Sequence, residues 1–425
     1  MTHTELTGDL PVVTEVPAYI DKGSIRYAVS EYFKRLRGGD MGALPAVLGL
    51  IALVVVFTVM KGDIFFSKFN FANLLNQGAA VIVIAMGLVF VLLLGEIDLS
   101  AGFAAGTSGA ILGVTLTQHG WPWPLAVLAC LATGATIGVC IGLLVARLGI
   151  PSFVVTLAAF LGLQGLMLVI IGEGGTIRIT NSTILAIMNN NMAVWLGWAL
   201  FVVVAVGFAA VSMMAIRRRR AAGLPSESTQ VWGAKVVILA VLLGVGTYIL
   251  NQERSRNPDI TSIKGVPVIV PVLLVLFVVL TFILQRTSFG RHVYAVGGNA
   301  EAARRAGIRV PNIRTICFIS CSSLAAVAGI LLVSRDNSVS PSTGGSTTLL
   351  LAVGAAVIGG TSLFGGRGKI KDAILGGLVI AVLQNGMPLV TQKSGIQYMI
   401  TGLVLLVAAS VDALSRRRAA SSGLA

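Results

Sequence analysis

The sequence predicts an all-α, polytopic membrane protein of about 12 transmembrane helices, with the N- and C-termini cytoplasmic. Three observations predict it. The 425-residue chain is 56% hydrophobic and only 11% charged, with a mean hydropathy of +0.90, a balance that soluble globular domains do not show. It contains twelve apolar runs close to the ~20 residues that cross a hydrocarbon core. Its cations, which give a formal net charge of +14, gather at the ends of those runs as orientation signals do, so the basic charge does not call for a nucleic-acid partner.

Residues 1–43 form a cytoplasmic N-terminal segment. Met1 to Gly23 is polar, contains Pro11 and Pro17 and lacks the layout of a cleavable signal peptide. Over residues 25–36, Ile25, Ala28, Val29, Tyr32, Phe33 and Leu36 recur at helical spacing beside Arg26, Lys34 and Arg35. That pattern fits an amphipathic interfacial helix lying on membrane lipid of the cytoplasmic leaflet; a solvated connector helix is the alternative. The transmembrane body, 44–415, follows. Its runs are Leu44 to Met60, Gln77 to Leu94, Leu99 to Leu116, Leu125 to Ala146, Ser152 to Ile171, Met192 to Ile216, Val236 to Leu250, Val266 to Leu284, Ile313 to Val333, Thr347 to Leu363, Ala373 to Val390 and Tyr398 to Leu414. A basic tail, 416–425, ends the chain.

With both termini inside, the cytoplasmic face holds Lys22 to Arg37, Arg147, Arg217 to Arg220, Lys235, Arg286 to Arg314, Arg367 to Lys371 and Arg416 to Arg418. The exterior holds scattered cations, several beside carboxylates. The exterior loops are too short for a folded domain, so capture of a solute requires a separate protein.

The longest polar interruption, residues 286–314, carries six arginines and one glutamate. Within it Asn299 is a good N-cap, Glu301 falls in the first turn, Arg304 and Arg305 fall in the last, and Gly307 closes the helix in a left-handed conformation. A helix of about two turns is not stable alone and must dock. Ala300 to Ala306 is expected to face a partner.

Two glycine-rich clusters, Gly95 to Gly102 and Gly359 to Gly366, share glycine at both ends, an N-capping residue at the fourth position (Asp98, Ser362) and leucine at the fifth. Clustered glycine lets helices approach closely or break around a cavity, and repeated breaks mark binding sites in transporters. Glu96 and Asp98 are the only charges between Lys68 and Arg147. At membrane depth they read as functional groups; in a turn they cap a helix, which suits Asp98 better than Glu96. Gln164, Gln384 and Asn385 are amides inside spans, with two uses open to them: binding a polyol in a pore, or holding helices together. Ser100, Thr361 and Ser362 join the candidate pathway through the two clusters.

Catalytic motifs are missing. Gly365-Gly-Arg-Gly-Lys369 is followed by Ile370 and does not form a phosphate-binding loop, so any ATP hydrolysis belongs to a partner. Gly106-Thr-Ser-Gly109 has the form of an intramembrane serine protease motif, but His119 and His292 fall in loops and no base is placed. Cys317 and Cys321 have the i, i+4 spacing of metal ligands without further donors, and read as buried apolar cysteines. No catalytic residue, metal or cofactor is expected.

Four segments carry a family resemblance: Gly95-Glu-Ile-Asp-Leu-Ser-Ala-Gly, Pro151-Ser-Phe-Val-Val-Thr-Leu, Gly290-Arg-His-Val-Tyr-Ala-Val-Gly-Gly-Asn-Ala-Glu-Ala-Ala-Arg-Arg-Ala-Gly-Ile and Val357-Ile-Gly-Gly-Thr-Ser-Leu-Phe-Gly-Gly-Arg-Gly. They resemble signature segments of monosaccharide ABC-importer permeases of the ribose and xylose type, from about Phe71 onward. The resemblance implies a non-catalytic subunit that forms a homodimeric pore in the plasma (inner) membrane. An extracytoplasmic sugar-binding protein would serve it, and cytoplasmic ATP-binding cassette subunits would drive it. Asn299, Glu301, Ala302, Ala303, Arg304, Arg305 and Gly307 would form the coupling contact, since Glu301-Ala-Ala-x-x-x-Gly307 resembles the loop that seats in the ATPase cleft. Ribose-type members have a single span before the central loop where this chain has three. A 10-helix core plus an extra pair, about 192–250, is most similar to xylose permeases, and this pair is expected at the lipid-facing periphery. The family usually has a neutral residue where Glu96 stands. An ion-coupled secondary transporter, using Glu96 or Asp98 as a proton relay, is the competing reading.

Overall fold

A computed structural model describes residues 44–224, 226–255 and 257–421. The proposed helix at 25–36 and the last four residues lie outside the described residues, as do the side chains of 408, 409 and 411–421. Every one of the twelve apolar runs falls on a helix. Nine helices among the described residues are long and apolar enough to cross a membrane: α1 (Leu44–Phe65), α2 (Lys68–Leu93), α4 (Trp123–Ala146), α5 (Ser152–Ile171), α7 (Val194–Ala221), α8 (Thr229–Asn251), α9 (Ile269–Arg286), α12 (Val310–Asp336) and α14 (Ile370–Val390). Two runs yield shorter helices, α3 (Ala101–Gly113, continued as a π-helical turn to Gln118) and α13 (Ser346–Gly359). The last, α15, runs Ser394–Ser421, with its apolar part ending at Val407.

The short helices are short for a backbone reason. The run expected from Thr347 to Leu363 stops at Gly359 because Gly360 adopts φ +115°, open to glycine but strained for other residues. The run expected from Leu99 starts late because the chain turns over 94–100 behind Gly95, φ +73°. Both breaks lie in the two clusters that the sequence singles out. Between α12 and α13 the chain pairs Ser338–Val339 with Ile177–Arg178 as a two-stranded antiparallel ribbon. It then bends inward so that Gly344 and Gly345 lie against Gly102 of α3.

α2 and α12 form the centre, 78% and 72% buried over their apolar windows. α12 packs on α4 through one stripe of small residues. A Cβ at Gly134 would lie 2.6 Å from Ser322 O, one at Gly138 2.5 Å from Ile319 Cα, and one at Gly142 2.9 Å from Thr315 Cα. Helices that touch along their backbones gain dispersion contact that lipid tails cannot supply. α7 and α8 pack on one another at the rim, only 6% buried over each window.

The end of that pair near Asn251 is laced by polar contacts. The Glu253 carboxylate accepts from Ser262 Oγ and from the backbone N–H groups of Arg254, Ser255 and Ile263. Arg254, buried, donates to Leu250 O, Asn191 Oδ1 and Gly265 O. The Ser262 hydroxyl, followed by the backbone donors, holds the Glu253 carboxyl down at about 2.

Candidate coupling site and translocation pathway

The stretch after α9 forms two short helices, α10 (Ser288–Gly298) and α11 (Ala300–Arg305). Asn299 Oδ1 accepts from Ala302 N at 2.9 Å and caps α11, with Glu301 in its first turn and Arg304 and Arg305 in its last. Its other end is a Schellman closure: Gly307 N donates to Arg304 O and Ile308 N to Ala303 O, with Gly307 at φ +85°. Six residues cannot hold a helix in water, so packing supplies the stability. Ala303 is 5% exposed and joins the main core, with Ala300 and Ile308 packed against it. The charges point the other way. Glu301 lies 3.4 Å from Arg304 and 3.3 Å from Arg305, and all three side chains are more than half exposed. One face is therefore fixed to the membrane body, and the other offers two arginines outward.

α10 anchors this helix at a three-way junction. α2 ends in a second Schellman closure, with Gly95 N bonded to Leu92 O and Glu96 N to Val91 O, and Leu93 O then accepts from Gly366 N at 2.8 Å. Gly297 fits into the same corner. A Cβ there would lie 2.9 Å from Gly366 N and closer still to Leu93 O. A Cβ at Gly365 would lie 3.0 Å from Gly95 N and 2.9 Å from Gly297 O. Tyr294 Oη donates to Gly368 O at 2.7 Å, and its hydroxyl is pushed up to about 12, chiefly by burial. The two glycine clusters thus meet each other and the coupling stretch. Phe289 of α10 stacks on Phe90 of α2 with centroids 6.4 Å apart.

Glu96 has a partner that the sequence reading did not assign. Its Oε1 lies 3.2 Å from Arg314 Nε at the start of α12, with the Glu96 side chain 14% exposed. Arg314 lies seven residues before Cys321 on α12, about two turns. Asp98 is on that deeper level, fully buried, with Ser100 N and Oγ donating to its Oδ1 at 2.8 and 2.6 Å and the Cys321 thiol beside it. Asp98 and Ser100 therefore order the turn before α3. Thr361 is buried against Gly368, and Ser362 N donates to Arg367 O, closing the second break.

The two amides of the expected pathway lie elsewhere. Asn385 on α14 exchanges hydrogen bonds with Asn70 on α2 at 2.7 and 2.8 Å and donates to Gln77 Oε1 at 3.2 Å. This polar seam ties α2 to α14. Gln164 is exposed on α5, with no hydrogen bond among the described residues. Gly297, Tyr294 and Arg314 are the residues the site adds. The Gly297-Gly298 pair just before a capped helix was the available signal, whereas nothing in the sequence links Arg314 to Glu96.

A bundle of apolar helices with two broken spans and a short docked helix is the architecture of a polytopic membrane protein, and the comparisons give its class. Residues 70–409 match the family described as branched-chain amino acid transport system / permease component, and the chain belongs to that family. It is a multi-pass membrane permease subunit, not an enzyme. Among relatives, it is 35% identical over 389 residues, 91% of this chain and 95% of the relative, to the xylose transport system permease protein XylH of Escherichia coli K12. It is 30% identical to the fructose import permease protein FrcC of Rhizobium meliloti, covering 88% and 87% of the two chains. It is 29% identical to the ribose import permease protein RbsC of Escherichia coli K12, covering 86% and 92%. No solved structure matches the chain.

Proposed function

We propose that this chain is the pore-forming permease of an ABC importer for a monosaccharide, with a pentose such as xylose favoured over ribose or a hexose. It acts as a homodimer in the plasma membrane with cytoplasmic ATP-binding cassette subunits and an extracytoplasmic sugar-binding protein. The observation that carries the reading is the junction of Leu93, Gly297 and Gly366. α11, which presents Arg304 and Arg305 outward, follows α10 across the single residue Asn299, and Gly297 of α10 fits into the corner where both span breaks meet. A force on α11 reaches the breaks without passing through a flexible linker. Asn299, Glu301, Ala302, Ala303, Arg304, Arg305 and Gly307 make and support the ATPase contact. Asp98, Ser100, Thr361 and Ser362 shape the breaks along the sugar's path.

The relatives favour a sugar over an amino acid, because xylose, fructose and ribose permeases match nearly the full chain. The Glu96–Arg314 ion pair argues against Glu96 as a proton relay, since the carboxylate is already engaged by a guanidinium from the start of α12. Proteoliposomes test the whole reading. Uptake of radiolabelled xylose is expected only with the ATPase, the binding protein and ATP together. Uptake driven by a pH gradient without them refutes it in favour of secondary transport.

A further inference from the structure

We propose that the cytoplasmic end of the α7–α8 pair is a binding site for anionic phospholipid headgroups, built by Arg217, Arg218 and Arg219. α7 has 28 residues, about 42 Å at ~1.5 Å per residue against a hydrocarbon core of ~30 Å. With Val194 at the exterior edge, about 20 residues span the core and the helix leaves it near Met214. The arginines then stand at phosphate depth. The helix they end is apolar and 6% buried over its window, so lipid is the solvent around it.

The charges are sorted within the hairpin. Arg220 is engaged, its guanidinium donating to Ser226 Oγ at 3.2 Å, Glu227 O at 3.2 Å and Thr229 Oγ1 at 3.3 Å. Lys235 is paired with Glu227 at 2.5 Å. Glu227 is the only acid between Val194 and Asn251, against five basic residues. That leaves Arg217, Arg218 and Arg219 exposed, with no hydrogen bond or ion pair among the described residues. At 100° per residue the three guanidinium groups fan over about 200° of the helix circumference, which suits several headgroups around the helix more than one enclosed anion. The hairpin beneath them is stiff, because Trp232 Nε1 donates to Ser212 Oγ at 2.9 Å across the pair. Each basic side chain at an anionic surface adds to binding, and a preformed cluster loses less entropy than a loose tail.

Orientation during insertion uses the same charges but needs no lasting lipid, so the test reads retained lipid. The full chain in detergent is exposed to dioleoyl phosphatidylglycerol or phosphatidylcholine, and bound lipids are counted by native mass spectrometry. Preferential retention of phosphatidylglycerol is expected, with affinity falling on the order of a hundredfold at low salt in R217Q/R218Q/R219Q. R217K/R218K/R219K should keep most of the preference, and R220Q should keep it nearly whole, because that guanidinium is already engaged. Equal retention of both lipids, or an unchanged count in the triple glutamine variant, overturns the proposal. So does displacement by millimolar inorganic phosphate as effective as by phosphatidylglycerol, which would make this a soluble-anion site. A loss seen only in binding to the ATPase subunits would assign the patch to protein docking instead. None of these readouts requires transport, so they stand apart from the identity of the cargo.

Discussion

Two adjacent glycines at the end of α10 give the coupling reading its sharpest test. Gly297 faces the Leu93–Gly366 hydrogen bond, and a Cβ there would meet Gly366 N at 2.9 Å with Leu93 O nearer. Backbone atoms cannot move aside as a side chain can. A Cβ at Gly298 meets nothing within 4 Å. Overpacking of this kind costs about 1–3 kcal/mol, while replacing a helical glycine by alanine returns up to about 1 kcal/mol. Gly298→Ala should therefore be neutral or slightly stabilising. Gly297→Ala should weaken the junction by roughly 2 kcal/mol, about thirtyfold in the ratio of docked to undocked α10. Reconstituted with its partners, the Gly297 variant should lose coupled uptake, and the exchange of α10 and α11 amides should rise, with membrane insertion unchanged. Equal behaviour of the two alanine variants would refute the junction as the transmission point.

The other predictions probe separate parts of the structure. Gly307→Val should cost roughly 1–2 kcal/mol through its φ of +85° alone, since no atom lies near its Cβ, and Gly307→Asn should be milder; amide exchange in α11 reads both. Glu301→Lys removes the first-turn charge and both ion pairs, so uptake and transport-coupled ATP hydrolysis should fall together while the permease still inserts. Asn385→Leu leaves Asn70 Oδ1 without its donor, while Asn70 Nδ2 keeps Phe65 O, and should lower thermal stability by about 1–3 kcal/mol, with the Asn70→Leu/Asn385→Leu double variant losing less than the sum of the two single ones. The Glu253 carboxyl is held at about 2 when folded, below its unfolded value near 4.5. Its contribution is complete above that value and is lost as pH falls toward 2, so proteolysis of the exterior loop should accelerate over that window in wild type and lose this pH dependence in Glu253→Gln.

The helical body was legible because lipid imposes a simple rule. Apolar runs of fixed length must be helices, and each expected run is one. Local chemistry was legible too. The Asn299 cap, the position of Glu301 and the left-handed Gly307 depend only on neighbours in sequence, and the structure shows all three. What sequence could not supply was pairing across the bundle. Glu96 and Arg314 are 218 positions apart, and no periodicity relates them. Asn385 illustrates the same limit: its two uses, pore lining or helix contact, differ only by what stands opposite, and what stands opposite is Asn70. The breaks were visible as glycine clusters, but their meeting required knowing that α2 and α13 end at the same level.

That meeting explains why glycine, and not a charged residue, dominates the junction. A hydrogen bond from Gly366 N to Leu93 O needs two chain segments within 3 Å, and any side chain between them would hold them apart. Backbone contacts of this kind are stiff in compression yet contain few groups that must be re-paired when segments slide. Charge is placed at the rim instead. The Glu96–Arg314 pair, 14% and 31% exposed, sits where water can take over either group if it opens. Asp98, two residues further on, is fully buried and accepts from its own Ser100, so opening that contact would leave a buried polar group without its hydrogen bonds. The separable contact therefore lies at the partly exposed rim and the inseparable one inside. A junction that is to move with α11 and still keep the membrane closed requires that order. Glu96→Gln should then leave insertion intact and raise ATP hydrolysis in the absence of sugar, because the rim would open without cost. Glu96→Arg/Arg314→Glu should restore coupling. A double variant as uncoupled as the single one would show that the ion pair does not hold the rim.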